Sequence, residues 1–286
     1  MGTFKSNLIQ SSTTKKTYPD REELERMDRV LRFFPSRVEQ AEVLTREHLD
    51  SFNRNGYLLG LELFSDAEVI QHRGYFDNLL AEVTKEGGDN YSIVSAHLKY
   101  GRIYDLLTDP RMVAYARDIL GEDVVGWGSH YFCKMPGEAK TVAWHQDASY
   151  WPLTPAKTAT FWLAIDDADT ENACMQFISG SHQHGHLEFR DSTQEENNVL
   201  TQTVDDPQRY GETVDVVLAA GQMSVHTDLL LHSSRANLSN RRRCGLTLRY
   251  CAADVRGTHR WNEEGVLVSG ADPSGHWANP TRPERD

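Results

Sequence analysis

Two stretches of this sequence carry residue types that bind metals. Trp144-His145-Gln146-Asp147 sets an imidazole and a carboxylate two residues apart. Along a β-strand, residues i and i+2 face the same side, so both groups can address one point in space. A second imidazole from far along the chain, such as His232, would complete two histidines and one carboxylate. That set holds Fe(II) on one face and leaves the opposite positions open to an oxidising co-substrate and O2.

Spacing alone has a rival. His226-Thr227-Asp228 repeats the pattern, and the chain has twelve histidines. A histidine taken at random is more often a hydrogen-bonded structural group than a ligand. Context has to separate the two. From His232 the chain runs His-Ser-Ser-Arg-Ala-Asn-Leu-Ser-Asn-Arg-Arg-Arg, ending in Arg243 at the start of the strand-like run Cys244–Ala252. An arginine at a strand start, one hairpin from a metal-binding histidine, can reach into a barrel. Its planar fork suits the distal carboxylate of a dicarboxylic co-substrate. Arg241 and Arg242 read as a solvated basic turn.

The elements that must hold these residues read as follows. Residues 1–43 form an N-terminal extension, with a disordered stretch Met1–Pro19 and an amphipathic helix over Arg21–Phe34 carrying Leu24, Met27, Val30, Leu31 and Phe34. The main domain spans 44–271. Thr45 caps a helix ended by Asn55-Gly56, and Tyr57–Leu63 is a strand. Ser65-Asp66 opens a helix with Val69, Ile70, Tyr75, Phe76, Leu79 and Leu80 as apolar positions. Asp109-Pro110 opens another through Leu120. Then come short strand-like runs: Val124–Lys134, Thr158–Ile165, Cys174–Ile178, Val214–Leu218, Met223–Thr227 and Cys244–Ala252. Gln183–Asp206 is a long polar loop of the kind that serves as a lid or binding loop. Residues 272–286 form an irregular C-terminal tail.

Composition sets outer bounds. The 286 residues are 39% hydrophobic, enough for a large core. A net charge of −12 speaks against nucleic-acid binding, which depends on neutralising phosphates. The four cysteines form no CxxC pair, which disfavours a zinc ribbon or a thioredoxin motif. No apolar run reaches the roughly 18 residues of a membrane span, and the N-terminus lacks a signal-type apolar region. The expectation is a soluble cytoplasmic protein with free thiols, a monomer or homodimer, that acts on a small molecule.

In sequence order, Asn55–Tyr57, Phe132-Cys-Lys-Met-Pro136, the His-Gln-Asp motif, Glu171-Asn172, Ser179-Gly-Ser-His182, His232-x-Ser-x-x-Asn237 and Arg243 form a connected set. From about Leu44 to Asp254 the chain resembles the phytanoyl-CoA dioxygenase family of Fe(II)/2-oxoglutarate-dependent oxygenases. The resemblance implies a mainly β fold with flanking helices around a double-stranded β-helix (jelly-roll, cupin-like) core. It implies His145, Asp147 and His232 as iron ligands, separated as the barrel requires (232 − 145 = 87 between the histidines). It puts Arg243 on the C5 carboxylate of 2-oxoglutarate, with Gln146, Trp162, Ser234 and Lys134 lining that site. His226 then falls on a barrel strand behind the ligands. The family's turn usually reads Pro-Gly-Ser-His; here Ser179 stands for the proline, and Gly180 keeps the flexible position. Related halogenases replace the ligand carboxylate by Gly or Ala, so Asp147 points to oxygenation.

The implied reaction is hydroxylation, or another oxidation, of an unactivated C–H of a natural-product intermediate or amino-acid derivative. Fe(II), 2-oxoglutarate and O2 are consumed or used, and succinate and CO2 are released. Candidate substrate contacts are His97, Lys99, Tyr150, Trp151 and Gln176. Tyr150 and Trp151 suit core packing equally well, and His97 and Lys99 suit an ordinary surface loop. Two other classes fit part of the pattern. A zinc hydrolase or isomerase could use two histidines and a carboxylate, but it leaves Arg243 without a role. A non-catalytic jelly-roll binding protein would have no use for the intact ligand set.

Overall fold

The computed structural model describes residues 16–286. In chain order the principal helices are α1 (Arg21–Arg26), α2 (Arg46–Asn55), α3 (Asp66–Lys85), α4 (Gly101–Leu107) and α5 (Pro110–Leu120). The principal strands are β1 (Tyr57–Glu62), β2 (Val124–Lys134), β3 (Val142–His145), β4 (Thr158–Ala164) and β5 (Met175–Ile178). They continue with β6 (Thr213–Asp215), β7 (Gln222–Thr227), β8 (His232–Ser234), β9 (Arg243–Ala252) and β10 (Val266–Ser269). One sheet runs β1-β7-β4-β9-β2-β10 and the other β3-β8-β5-β6, every pair antiparallel. This is the double-stranded β-helix.

Strand alternation decides which side chains meet solvent, helix or cavity. On β9, Cys244, Leu246, Leu248 and Tyr250 belong to the main core, together with Phe52, Phe76, Ile103, Leu107 and Met112 from the helices. Arg243, Thr247 and Arg249 on the opposite face line a cavity between the sheets. On β4, Phe161 and Leu163 go to the helix side, whereas Thr160 and Trp162 face the cavity. The period of two thus builds a dry layer outside the large sheet and a chemical layer inside it.

Local caps account for the helix starts. Thr45 and Ser65 each accept from the backbone N–H three residues on, of His48 and Glu68, and donate their own backbone N–H to that residue's side chain in return. Two expectations need correction. The helix at Arg21 stops at Arg26 instead of reaching Phe34. Beyond it, Arg29 Nη1 donates to the carbonyls of Ala148 and Trp151, and Val30 donates its N–H to Thr154, so tertiary contacts pull the chain straight. Ile70, taken as an apolar-face residue of α3, is 67% exposed.

The disorder expected over Met1–Pro19 lies, for residues 1–15, outside the described residues. Lys16 is held by Glu264 at 2.7 Å, and Thr17 donates its N–H to the His259 carbonyl. Within 183–206 the chain forms a short ribbon of Arg190–Asp191 with Gln202–Thr203. Residues 272–286 contain neither helix nor strand.

Candidate active site

β3 ends on His145 and β8 begins on His232, and the two residues are register partners. Their ring centroids stand 4.0 Å apart. Asp147 follows two residues later on a 3-10 turn, Asp147–Ser149, so the carboxylate arrives from a turn and not from the strand itself. Its Oδ1 lies 3.8 Å from His145 Nε2 and 4.0 Å from His232 Nε2. One donor atom from each residue falls within 4.8 Å of the others, and all three residues are buried.

Each imidazole is oriented by the carbonyl two residues before it. His145 Nδ1 is 2.8 Å from Ala143 O, and His232 Nδ1 is 2.9 Å from Leu230 O. With the proton placed on Nδ1, the Nε2 lone pairs face Asp147. Burial, and then His232, push the His145 pKa down to about 3, so its imidazole is neutral at ordinary pH. For Asp147, burial works upward, but His232, Arg249, His145 and His226 outweigh it and hold the carboxyl below its usual range. Thr160 donates its hydroxyl to Asp147 Oδ2 at 3.2 Å. Two imidazole nitrogens turned toward a braced carboxylate fit a divalent iron.

The cavity holding these atoms measures about 570 Å³. Arg243 lies fully buried in its wall, its Nε donating to Ala173 O at 3.0 Å and its guanidinium 5.6 Å from the Trp162 ring. Among the described residues no carboxylate comes within ion-pair distance of it. The buried Trp162 indole N–H beside it also finds no acceptor among the described residues. An unpaired buried cation and an unused donor, in one cavity with three converging side chains that could hold a metal, fit the far carboxylate of 2-oxoglutarate. Arg241 and Arg242 turn outward, to Asp169 and Glu171 and to Asp166 and Asp77.

Lys134 and Ser234 line the same cavity. Lys134 Nζ donates to the carbonyls of Lys140, at 2.9 Å, and of Arg235. Burial, and then Arg243, lower its pKa to about 7. Tyr150 and Trp151 also face the cavity.

Four expected site residues lie elsewhere. Gln146 is spent on structure: its amide donates to the carbonyls of Gly185 and Leu229 and accepts from Leu187 N–H, clamping the loop after the metal turn. Gln176 points to Asp215 on β6 at 2.7 Å. His97 is neither a wall nor a surface residue; it is buried between Ser129 Oγ and the Glu264 carbonyl. Lys99 is half-buried outside the cavity.

The rival motif splits. His226 lines the cavity, whereas Asp228 does not, and burial raises the Asp228 pKa to about 7. The motif residues Asn237 and Asn172 tie turns together, Asn237 through the carbonyls of Lys134, Met135 and Arg241, and Asn172 through those of Asp167 and Arg242. Gly180 adopts φ +80, the left-handed conformation its turn needs.

Sequence reading missed Lys16, Tyr18, Trp127 and Arg249 as cavity walls, whereas Asn197–Leu200, which also line it, lie in the polar loop Gln183–Asp206 expected to border a site. For Arg249 the signal was present, since it shares the strand face of Arg243.

The phytanoyl-CoA dioxygenase (PhyH) family model matches residues 52–245. Bovine peroxisomal phytanoyl-CoA dioxygenase is 24% identical over 255 residues, 79% of this chain and 75% of that protein. A probable alpha-ketoglutarate-dependent hypophosphite dioxygenase of Stutzerimonas stutzeri is 27% identical over 209 residues, 68% and 71% of the two chains. The apo structure of the non-heme monooxygenase ThoJ superposes with a TM-score of 0.70 at 26% identity, covering 83% of this chain and 88% of that one.

Proposed function

This chain belongs to the phytanoyl-CoA dioxygenase family and is an Fe(II)/2-oxoglutarate-dependent dioxygenase, and from that premise we propose that it oxidises an unactivated C–H of a free small molecule. In this reading His145, Asp147 and His232 hold the iron, and Arg243 holds the C5 carboxylate of 2-oxoglutarate, with Trp162, Ser234 and Lys134 around it. The observation that carries the assignment is Arg243: a buried guanidinium without a counter-ion, in one cavity with three converging metal-ligand atoms.

When bound, Fe(II) with 2-oxoglutarate supplies the O2-dependent oxidation, releasing succinate and CO2. The chain supplies position. The carbonyls of Ala143 and Leu230 fix the two imidazoles, and Thr160 fixes the carboxylate. Trp127, Tyr150 and Trp151 wall the space where a substrate C–H must lie, excluding water and setting which carbon is presented. A cavity of about 570 Å³ suits a compact molecule, such as a natural-product intermediate or an amino-acid derivative. The four cysteines are all buried and unbonded, which suits the reducing cytoplasm.

The test is a metabolite screen for substrate-triggered succinate release with Fe(II) and 2-oxoglutarate. At least one small molecule should raise succinate release well above the protein alone. Turnover of a substrate by zinc-loaded protein without 2-oxoglutarate would contradict the reading.

A further inference from the structure

Arg249, one of the charges that hold the Asp147 carboxyl low, takes no ligand in the scheme above, yet it faces the same cavity. It lies six residues beyond Arg243 on one face of β9, so the two Cα atoms are about 20 Å apart at about 3.3 Å per residue. Its register partner on β4 is Thr160, whose hydroxyl braces Asp147, which puts Arg249 at the metal end. Its guanidinium stands 5.2 Å from the Trp151 ring and 6.0 Å from those of Trp127 and Phe132. Among the described residues no carboxylate reaches ion-pair distance, and its Nε finds no acceptor.

Trp127 is beside it for a reason of backbone geometry. The β2–β9 ladder pairs Arg249 with Gly128 and then Tyr250 with Gly126, skipping Trp127. Such a bulge re-aims a side chain. Here it delivers Trp127 to the cavity wall at 2% exposure, with its indole N–H unpartnered among the described residues. Both groups are donors only, and one is a cation. Lys16, another cation in the cavity lining, is already neutralised by Glu264 at 2.7 Å and lies over Trp261.

We propose that Arg249 and Trp127 form a second anion seat, and that it takes the carboxylate of the substrate. The inference rests on the oxygenase reading: 2-oxoglutarate uses its keto-acid end at the metal and its far carboxylate on Arg243, which leaves Arg249 for another molecule. One guanidinium fork and one indole N–H match the two oxygens of a carboxylate. The aromatic walls suit an aryl or alkyl body attached to it.

The experiment is anaerobic calorimetry on the Fe(II)-loaded protein with saturating 2-oxoglutarate. The probes are phenylacetate, 3-phenylpropionate and N-acetylphenylalanine, each beside its primary amide, and inorganic phosphate. The wild type should bind the carboxylates about tenfold or more tightly than the amides. R249Q should lose that preference, R249K should recover part of it, and W127F should weaken carboxylate binding by a smaller factor. R249Q should bind 2-oxoglutarate as the wild type does, which also shows that it folds.

Equal binding of acids and amides, a preference that survives in R249Q, no binding of any acid, or phosphate binding tighter than the acids would each overturn the seat. Loss of 2-oxoglutarate binding in R249Q but not in R243Q would also overturn it, by making Arg249 the co-substrate anchor. Failure of the wild type to bind 2-oxoglutarate would instead strike the oxygenase reading. The acid–amide comparison, repeated on Fe(II)-loaded protein alone, would then still decide the seat.

Discussion

His226 Nε2 lies 4.0 Å from Asp147 Oδ2, the same distance that separates His232 Nε2 from Oδ1 of that carboxylate. Distance to the aspartate therefore does not distinguish the two histidines. What does is that His232 is the register partner of His145, with the rings 4.0 Å apart, and that its Nδ1 is fixed by a carbonyl. Neither nitrogen of His226 has a partner among the described residues, and burial pushes its pKa well down, leaving a neutral ring against the ligand carboxylate.

A positioning role for His226 predicts a graded loss. His226→Leu should weaken Fe(II) or Co(II) binding by about 10–100-fold, while His145→Ala, Asp147→Ala and His232→Ala should remove it. Metal titration of the four variants checks this. A His226 variant as defective as the His145 variant, beside a His232 variant that still binds, would exchange the two assignments.

Gly245 sits directly beneath the indole that faces Arg243. A Cβ built on it would come within 2.0 Å of Trp162 Cζ2. Gly245→Ala should cost about 1–3 kcal/mol in denaturant unfolding and weaken 2-oxoglutarate binding by displacing Trp162. Adding Trp162→Phe should restore part of the stability, because the smaller ring vacates the contested space.

Lys134 gives the co-substrate site a pH dependence. Burial and the adjacent Arg243 hold its pKa at about 7, so in the free protein it loses its charge as pH rises through neutrality. A bound dianion favours the charged form, so binding takes up a proton above that pH. Affinity for 2-oxoglutarate should fall as pH rises from neutral into the mildly alkaline range. In Lys134→Met the fall over that window should be flattened, as calorimetry at several pH values will show.

Arg29 links the N-terminal extension to the metal turn through the carbonyls of Ala148 and Trp151. Arg29→Ala should lower stability by about 1–3 kcal/mol, the cost of leaving buried carbonyls unsatisfied. It should also reduce metal affinity, since Asp147 opens that turn.

The same contacts show where sequence reading stops. Capped helices and alternating strands were legible because their causes are local: Thr45 and Ser65 with their own N3 residues, or Leu246 and Leu248 alternating with Thr247 and Arg249. The convergence of His145 and His232 with Asp147 was legible because their order along the chain carries chemistry. Gln146 was misread because its partners, Gly185, Leu187 and Leu229, are some 40 to 83 residues away. The helix at Arg21 was overextended because the residues that straighten the chain, Ala148, Trp151 and Thr154, lie far along it. His97 and Gln176 carried suitable chemistry, but only tertiary packing reveals that each is occupied. Arg249 could have been found by carrying the alternation of β9 six residues past Arg243.

The central claim is that one cavity joins a two-histidine, one-aspartate metal centre to a 2-oxoglutarate anchor at Arg243. Anaerobic titration of 2-oxoglutarate into metal-free and Fe(II)-loaded protein, for the wild type and for R243Q, tests it most directly. The account predicts one 2-oxoglutarate per chain, tight binding only with Fe(II) present, and a loss of about 100-fold or more in R243Q. Binding that is indifferent to Fe(II), or that survives R243Q undiminished, would contradict it.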